Sequence, residues 1–189
     1  MLRCFIKTIS TAIALTFAGQ SLAADRLDCM SLPMGEAEQE LTNRHYAANR
    51  GEDRRNETIS IMLQSRAKVC SYLYNWSARA AKLAAHYQWL QIQNRALKRF
   101  SHYTDEEVVR LNAALSPRRD RLIALFQPSV DAVVGNDVPP PPADGMFSGF
   151  RGMIKEAKIS RENDDPINLD IWLYEQGFIA ALAKEFSKS

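Results

Sequence analysis

Apolar side chains recur along residues 52–100 in alternating steps of four and three. Met62, Arg66, Val69, Leu73, Trp76, Ala80, Leu83, Tyr87, Leu90, Asn94 and Leu97 fall on this track, and only Arg66 and Asn94 interrupt it. That spacing is a heptad seam, the signature of a helix packed lengthwise on another. Neither glycine nor proline occurs from Glu52 to Phe100, so no residue in the stretch imposes a stop. An unbroken helix would be about 70 Å long at about 1.5 Å per residue, and a break at Asn75–Ser77 would relieve that length. A second apolar track follows Tyr74, Ala78, Ala85, Trp89, Ile92 and Ala96. A helix apolar on two sides is either central in a bundle or has a partner on its far side.

The rest of the pattern is helical too. A fainter track (Ala37, Leu41, His45, Ala48) predicts a helix over Gly35–Asn49, stopped by Gly51. Thr104-Asp105-Glu106-Glu107 has the spacing of a capping box and opens a helix through Val108, Leu111 and Leu115. Ser116-Pro117 reads as an N-cap and first-turn proline restarting the helix, with Leu122, Ile123 and Phe126 as its core. Pro128 is expected to end that helix, with a short turn at Val130–Val134. Strand signals are missing: there is no period-2 alternation and no hairpin dipeptide between β-branched runs.

Gly135–Gly145 reads GNDVPPPPADG, and four prolines in a row favour extended polyproline II. A short helix (Met146–Lys158) and a terminal one follow. Asp165-Pro166 opens the latter, which carries Ile171, Trp172, Leu173, Phe178, Ile179, Leu182 and Phe186 on its apolar side. The expected fold is therefore all-α. It is an antiparallel helical bundle around one long, or once-broken, central helix, with a C-terminal helical pair beyond a proline-rich linker. The corresponding divisions are a leader at 1–23, a bundle at 24–134, a linker at 135–145 and C-terminal helices at 146–189.

The leader reading rests on the first 24 residues. Arg3 and Lys7 precede an apolar run from Ile9 to Phe17, and Ser21-Leu22-Ala23 places small residues where a signal peptidase reads them. Cleavage is expected after Ala23 or Ala24. The run falls short of the about 20 residues a membrane span needs. Cys4 leaves with the leader, and no cysteine follows the cleavage point as a lipoprotein would require. What remains of the 189 residues suits one domain with a true core. The chain has 24 Lys+Arg against 22 Asp+Glu, and Arg3 and Lys7 account for the excess. The processed protein is thus formally neutral, and its net charge selects no partner. A cleavable leader of bacterial type implies a periplasmic or secreted protein.

That compartment bears on the cysteines. Only Cys29 and Cys70 remain after processing, and an oxidising compartment favours a bridge between them. Paired metal-ligand spacings are missing, and His45, His86 and His102 carry no nucleophile signature beside either thiol. Cys70 borders the seam, so the bridge would tie the N-terminus to the central helix.

Two features invite a functional reading. Residues 58–103 hold Arg66, Lys68, Arg79, Lys82, Arg95, Lys98 and Arg99, several aromatics and no acid. Bases among aromatics suit single-stranded nucleic acid, but these bases share no helical face, the aromatics sit on the apolar tracks, and an exported protein rarely meets nucleic acid. No nucleic-acid partner is expected; acidic neighbours at Glu36–Glu40 and Asp105–Glu107 would pair with the bases. The second feature is Gly145–Ile159. Phe147, Phe150, Ile154 and Ala157 form an apolar stripe flanked by Arg151, Lys155 and Lys158. Such a helix can dock on a partner's groove or on an anionic membrane surface. Phe147, Phe150, Arg151, Ile154, Lys155 and Lys158 are the candidate binding residues.

The chain shows no metalloprotease, nucleophile-elbow, phosphate-loop or haem-attachment motif, and no catalytic residue, cofactor or metal is expected. Glu162, Asp164 and Asp165 lack calcium-loop spacing and read as helix-capping acids. The sequence points to an exported, non-catalytic helical protein that binds an envelope or secretion-system component. The alternative is a small envelope hydrolase using carboxylates that no motif marks.

Overall fold

The computed structural model describes residues 26–31, 53–100, 104–159 and 166–189, with the side chains of 53–58, 96–100 and 166–168 left aside. The leader, the predicted helix at Gly35–Asn49 and the acids at 162–165 lie outside the described residues. Among the described residues the protein is all-α, and no helix is long and apolar enough to cross a membrane. A 3-10 turn at Asp28–Ser31 comes first. It is followed by α1 (Asp53–Tyr74), α2 (Ala78–Phe100), α3 (Asp105–Leu115), a 3-10 turn (Ser116–Arg118), α4 (Arg119–Leu125), α5 (Gln127–Gly135), α6 (Met146–Glu156) and α7 (Pro166–Phe186).

The 52–100 stretch takes the broken form. Asn75 adopts the left-handed conformation (φ 54°), where asparagine is tolerated better than most side chains. The Trp76 N–H reaches back to the Ser71 carbonyl at 3.1 Å and closes the end of α1. Ser77 Oγ accepts from the Ala80 N–H at 3.0 Å and caps α2. The two helices then fold back on one another as a hairpin.

This turn corrects the seam. In α2 the expected track is the core: Ala80, Leu83, Leu90 and Asn94 are buried. In α1 it is not. Val69 and Leu73 are 59% and 61% exposed, while Ile59, Leu63, Ala67 and Cys70 face inward. The inward track is the expected one displaced by a single residue, a rotation of about 100° at about 3.6 residues per turn. The sequence runs through Asn75 in unbroken heptad spacing, but the left-handed residue resets the phase. The second track divides likewise: Tyr74 and Ala78 are exposed, Ala85 and Trp89 half-buried, and Ile92 buried.

Cys29 and Cys70 form the expected bridge, with Cα atoms 6.0 Å apart. It brings the 3-10 turn onto the inward side of α1, where Leu27, Cys29 and Met30 are buried. Arg66, an interruption of the seam, is used here: its Nε donates to the Cys29 carbonyl at 3.2 Å.

The capping box at Thr104 forms as read, with Glu107 reciprocating. Ser116, expected to be an N-cap, is instead right-handed helical (φ −50°, ψ −50°) and donates its N–H to the Asn112 carbonyl. Its side chain caps neither segment, and the chain passes from α3 through the Pro117 turn into α4 with a departure from helical angles only at Arg118 (φ −106°, ψ 0°). Pro128 does not end a helix but opens α5 in its first turn, where the missing N–H has no helical partner to lose. The expected turn at 130–134 is the body of α5.

The proline run does not set off a separate unit. Leu27, Leu83, Phe126, Phe150 and Leu182 belong to one buried cluster that draws on both sides of it. α7 packs antiparallel along α2: Trp76 meets Phe186, Arg79 pairs with Glu185, and Asn94 bonds the Trp172 carbonyl. Phe126, at the α4–α5 corner, stacks on Phe178 at 5.5 Å and meets the Tyr174 edge at 4.8 Å. Gly177 allows this approach, because a Cβ there would overlap the Phe126 ring. The prolines bridge two elements of a common core rather than space two bodies.

Leu83→Ala should therefore cost roughly 2–5 kcal/mol, the range for emptying a core site. Leu73→Ala, its equal on the sequence track, should change stability by less than about 0.5 kcal/mol. Chemical denaturation of the two variants checks the phase reset; equal losses would refute it. The bridge closes a separation of 41 residues, worth about 4 kcal/mol in the chain-entropy description. Cys70→Ser should lower the melting temperature while leaving the helical circular-dichroism spectrum in place.

Candidate functional site

The helix expected to dock is part of the core. Along α6, Met146, Phe150 and Met153 are buried, with Phe150 completely enclosed. Phe147 lies against the Tyr174 ring at 6.5 Å and the Phe150 ring at 5.9 Å. Ile154 is half-buried, while Arg151, Lys155 and Lys158 are exposed. The stripe is real, but α3 and α7 cover it. Arg110 Nε donates to the Ala157 carbonyl at 3.0 Å at the end of α6, and Arg118 pairs with Glu156 at 2.7 Å. The candidate set Phe147, Phe150, Arg151, Ile154, Lys155 and Lys158 thus separates into a packed face and a solvated basic edge. Period alone cannot tell a stripe covered by its own protein from one left for a partner.

A broad concavity lies between α1, α2 and the end of α5. It is a groove of about 760 Å³. Leu63, Ala67, Ala81, Ala85 and Trp89 make its apolar lining, Ser60 and Gln64 add polar edges, and Lys68 and Lys82 supply charge. The alanines determine its depth: three methyl groups stand where larger side chains would have closed the gap between α1 and α2. Lys82 is held in place by donating Nζ to the Val134 carbonyl at 3.0 Å, a cation at the carbonyl end of α5. Lys68 is exposed. Among the described residues no carboxylate lines the groove.

His86 lines the same groove and leans on the Phe178 ring at 5.3 Å. Burial lowers its pKa to about 4, so at neutral pH it is an uncharged part of the wall. Of the seven bases noted above, Arg66 bonds the Cys29 carbonyl, Arg79 pairs with Glu185, Lys82 caps α5 and Arg95 donates to the Gln91 carbonyl. Lys98 and Arg99 have side chains outside those described. Arg66, Arg79, Lys82 and Arg95 are thus engaged at separate places on the fold.

The carboxylate with the largest displacement is Glu175 on α7. It is buried, and its pKa is pushed up to about 8 by loss of water, against a smaller opposing effect of Asn94. Asn94 Nδ2 donates to Glu175 Oε2 at 3.3 Å and to the Trp172 carbonyl at 3.2 Å, while Gln176 Nε2 donates to Asn94 Oδ1. Asn94, an interruption of the seam, is therefore the hub of a buried polar clasp between α2 and α7. Glu175 does not line the groove. Burial also raises the pKa of Asp170, against the field of Arg151. A hydrolytic carboxylate pair needs both groups facing a substrate cavity, and the geometry of Glu175 is that of a structural clasp. Among the described residues no cluster of His, Cys, Asp and Glu could hold a metal ion.

The Glu175 carboxyl is neutral in the folded protein up to about pH 8 and ionises from 4.5 upward in the unfolded chain. The stability its neutral form supports is fully present below 4.5 and is lost as pH rises toward 8. His86 acts in the opposite sense: the unfolded chain takes up a proton below 6.5 that the fold refuses until about 4, so stability is lost as pH falls through that window. Of these two, the Glu175 effect dominates between 6.5 and 8. Thermal or urea denaturation across that range should show stability falling by at most about 1.4 kcal/mol per pH unit, the slope for one proton. Glu175→Gln should flatten it; an unchanged slope in that variant would show that Glu175 is not the group responsible.

Comparison with protein-family models, curated proteins and solved structures gives no match.

Proposed function

We propose that this is an exported, non-catalytic helical protein, periplasmic or secreted, that acts by binding an envelope or secretion-system component through the groove between α1 and α2. The observation that carries the reading is the groove's chemistry. Leu63, the three alanines and Trp89 offer apolar surface, and Lys68 and Lys82 sit beside it with no acidic counterpart among the described lining residues. Small side chains along a groove between two helices permit close approach by a third helix. Lysines on its edge favour a segment whose apolar stripe has acidic flanks. The groove takes the place of α6 as the docking surface. Export is supported by the leader pattern in the sequence and by the Cys29–Cys70 bridge, which suits an oxidising compartment.

Site-specific photocrosslinking in intact cells tests this reading. A crosslinker at Gln64, on the groove edge, should give a discrete adduct that maps to an apolar segment with acidic neighbours in an exported protein. A crosslinker at Ala113, exposed on α3, should not give it. Lys68→Glu should reduce the Gln64 adduct at least tenfold with the helical spectrum unchanged. Equal labelling from both positions, or indifference to Lys68→Glu, would overturn the groove as the binding surface.

A further inference from the structure

The end of the molecule at the α1–α2 turn has a composition that the groove does not explain. The last turns of α1 expose Val69, Tyr72, Leu73 and Tyr74, with Tyr72 90% exposed. Tyr72, Leu73 and Tyr74 are consecutive in a helix, so they fan out in different directions around the tip rather than line one face. The tip is rigid. The Trp76 N–H bonds the Ser71 carbonyl, Tyr74 stacks on Trp76 at 6.1 Å, and Trp76 meets the Phe186 edge at 5.0 Å. An apolar projection of this kind has no interior to collapse onto.

The end of α7 lies at the same pole, because Phe186 touches Trp76 and Glu185 pairs with Arg79. Along residues 68–80 and 183–189 the charged side chains are Lys68, Arg79, Lys184, Glu185 and Lys188. Glu185 is engaged by both Arg79, at 2.6 Å, and Lys188, at 2.7 Å. The pole is therefore an aromatic and aliphatic tip surrounded by an excess of positive charge.

We propose that this pole is an anchor for an anionic lipid surface. A leucine between two tyrosines matches the depth profile of a bilayer interface: the aliphatic group enters the hydrocarbon boundary while the phenol hydroxyls stay among headgroups and water. Lysines around the tip reach headgroup phosphates by extending along their own methylene stems. The shape argues for lipid over a protein partner. A protein would need a concave site to receive a convex tip, whereas a headgroup layer yields to it. A second copy of the chain is disfavoured, because tip-to-tip contact would bring two cationic poles together. Apart from Lys68, which also lines the groove, the residues of the anchor are separate from it, and anchoring would leave the groove open.

The test is co-sedimentation of the processed chain (residues 24–189) with vesicles of phosphatidylcholine alone and of phosphatidylcholine with about a third phosphatidylglycerol. Binding is expected to the anionic vesicles, at least tenfold above the neutral ones, and to weaken as salt is raised. Tyr72→Ser combined with Leu73→Ser should reduce it at least tenfold, with melting temperature and helical spectrum unchanged because both side chains are exposed. Lys184→Glu with Lys188→Glu should reduce it similarly. Val109→Ser, at an exposed apolar position on α3, should leave it intact. No binding by the wild type, equal binding to both vesicle types, or full binding by the Tyr72/Leu73 variant would overturn the proposal. Loss of vesicle binding with the Gln64 crosslink retained would separate the lipid anchor from the groove.

Discussion

The antiparallel packing of α7 along α2 is the contact on which the rest of the molecule depends. It is fixed at three heights. Trp76 meets Phe186 at one end, His86 leans on Phe178 in the middle, and Asn94 bonds the Trp172 carbonyl and Glu175 at the other. Apolar packing alone tolerates a slide of one helical turn, because leucines and phenylalanines offer similar surfaces at each step. A buried amide does not: moved by a turn, Asn94 would lose its partners in a medium that cannot replace them. The polar clasp thus specifies the register that the apolar contacts stabilise. The remaining helices are placed by reference to this pair. Phe126 brings the α4–α5 corner onto Tyr174 and Phe178, and Phe147 brings α6 onto Tyr174.

What was legible in the sequence was local or chemically simple. The capping box at Thr104 needs only four consecutive residues and formed as read. The Cys29–Cys70 bridge needed only a compartment and an even count. The apolar side of α7 was legible because Trp172, Leu173, Phe178, Ile179, Leu182 and Phe186 are large and all buried. The phase of α1 was not, and the reason is a single backbone conformation. Spacing runs evenly from Met62 through Trp76 into Leu83, and only the left-handed Asn75 interrupts the geometry. The sequence did contain a correcting marker. Cys70 must face inward to reach Cys29, and the residues that share its side are Ile59, Leu63 and Ala67, not Val69 and Leu73.

The candidate docking helix shows a different limit of the sequence pattern. α6 has a clear amphipathic stripe, and such a stripe records that one face avoids water without recording what covers it. Four prolines beside it favoured a separate unit. The fold instead uses them to cross from α5 to α6 within one core. The groove went unseen because its depth comes from Ala67, Ala81 and Ala85. A concavity between helices is made by small side chains, which leave almost no trace in a hydropathy pattern.

The same turn that resets the phase also determines what α1 has left to offer. α1 is apolar on two sides, and α2 with the stapled 3-10 turn covers one of them. Had the phase continued through Asn75, Val69 and Leu73 would have joined Leu83 and Leu90 in a single seam, and Cys70 would have turned away from Cys29. With the phase reset, Cys70 and Arg66 secure the N-terminal turn, and the displaced residues emerge at the tip. Tyr72 and Leu73 stay exposed in the described structure, and α7 ends at the same pole with lysines. Exposed apolar surface is costly in water, and that cost falls when such a surface meets an interface. Among the described residues the tip and the groove thus follow from one constraint, a two-sided helix with a single side covered.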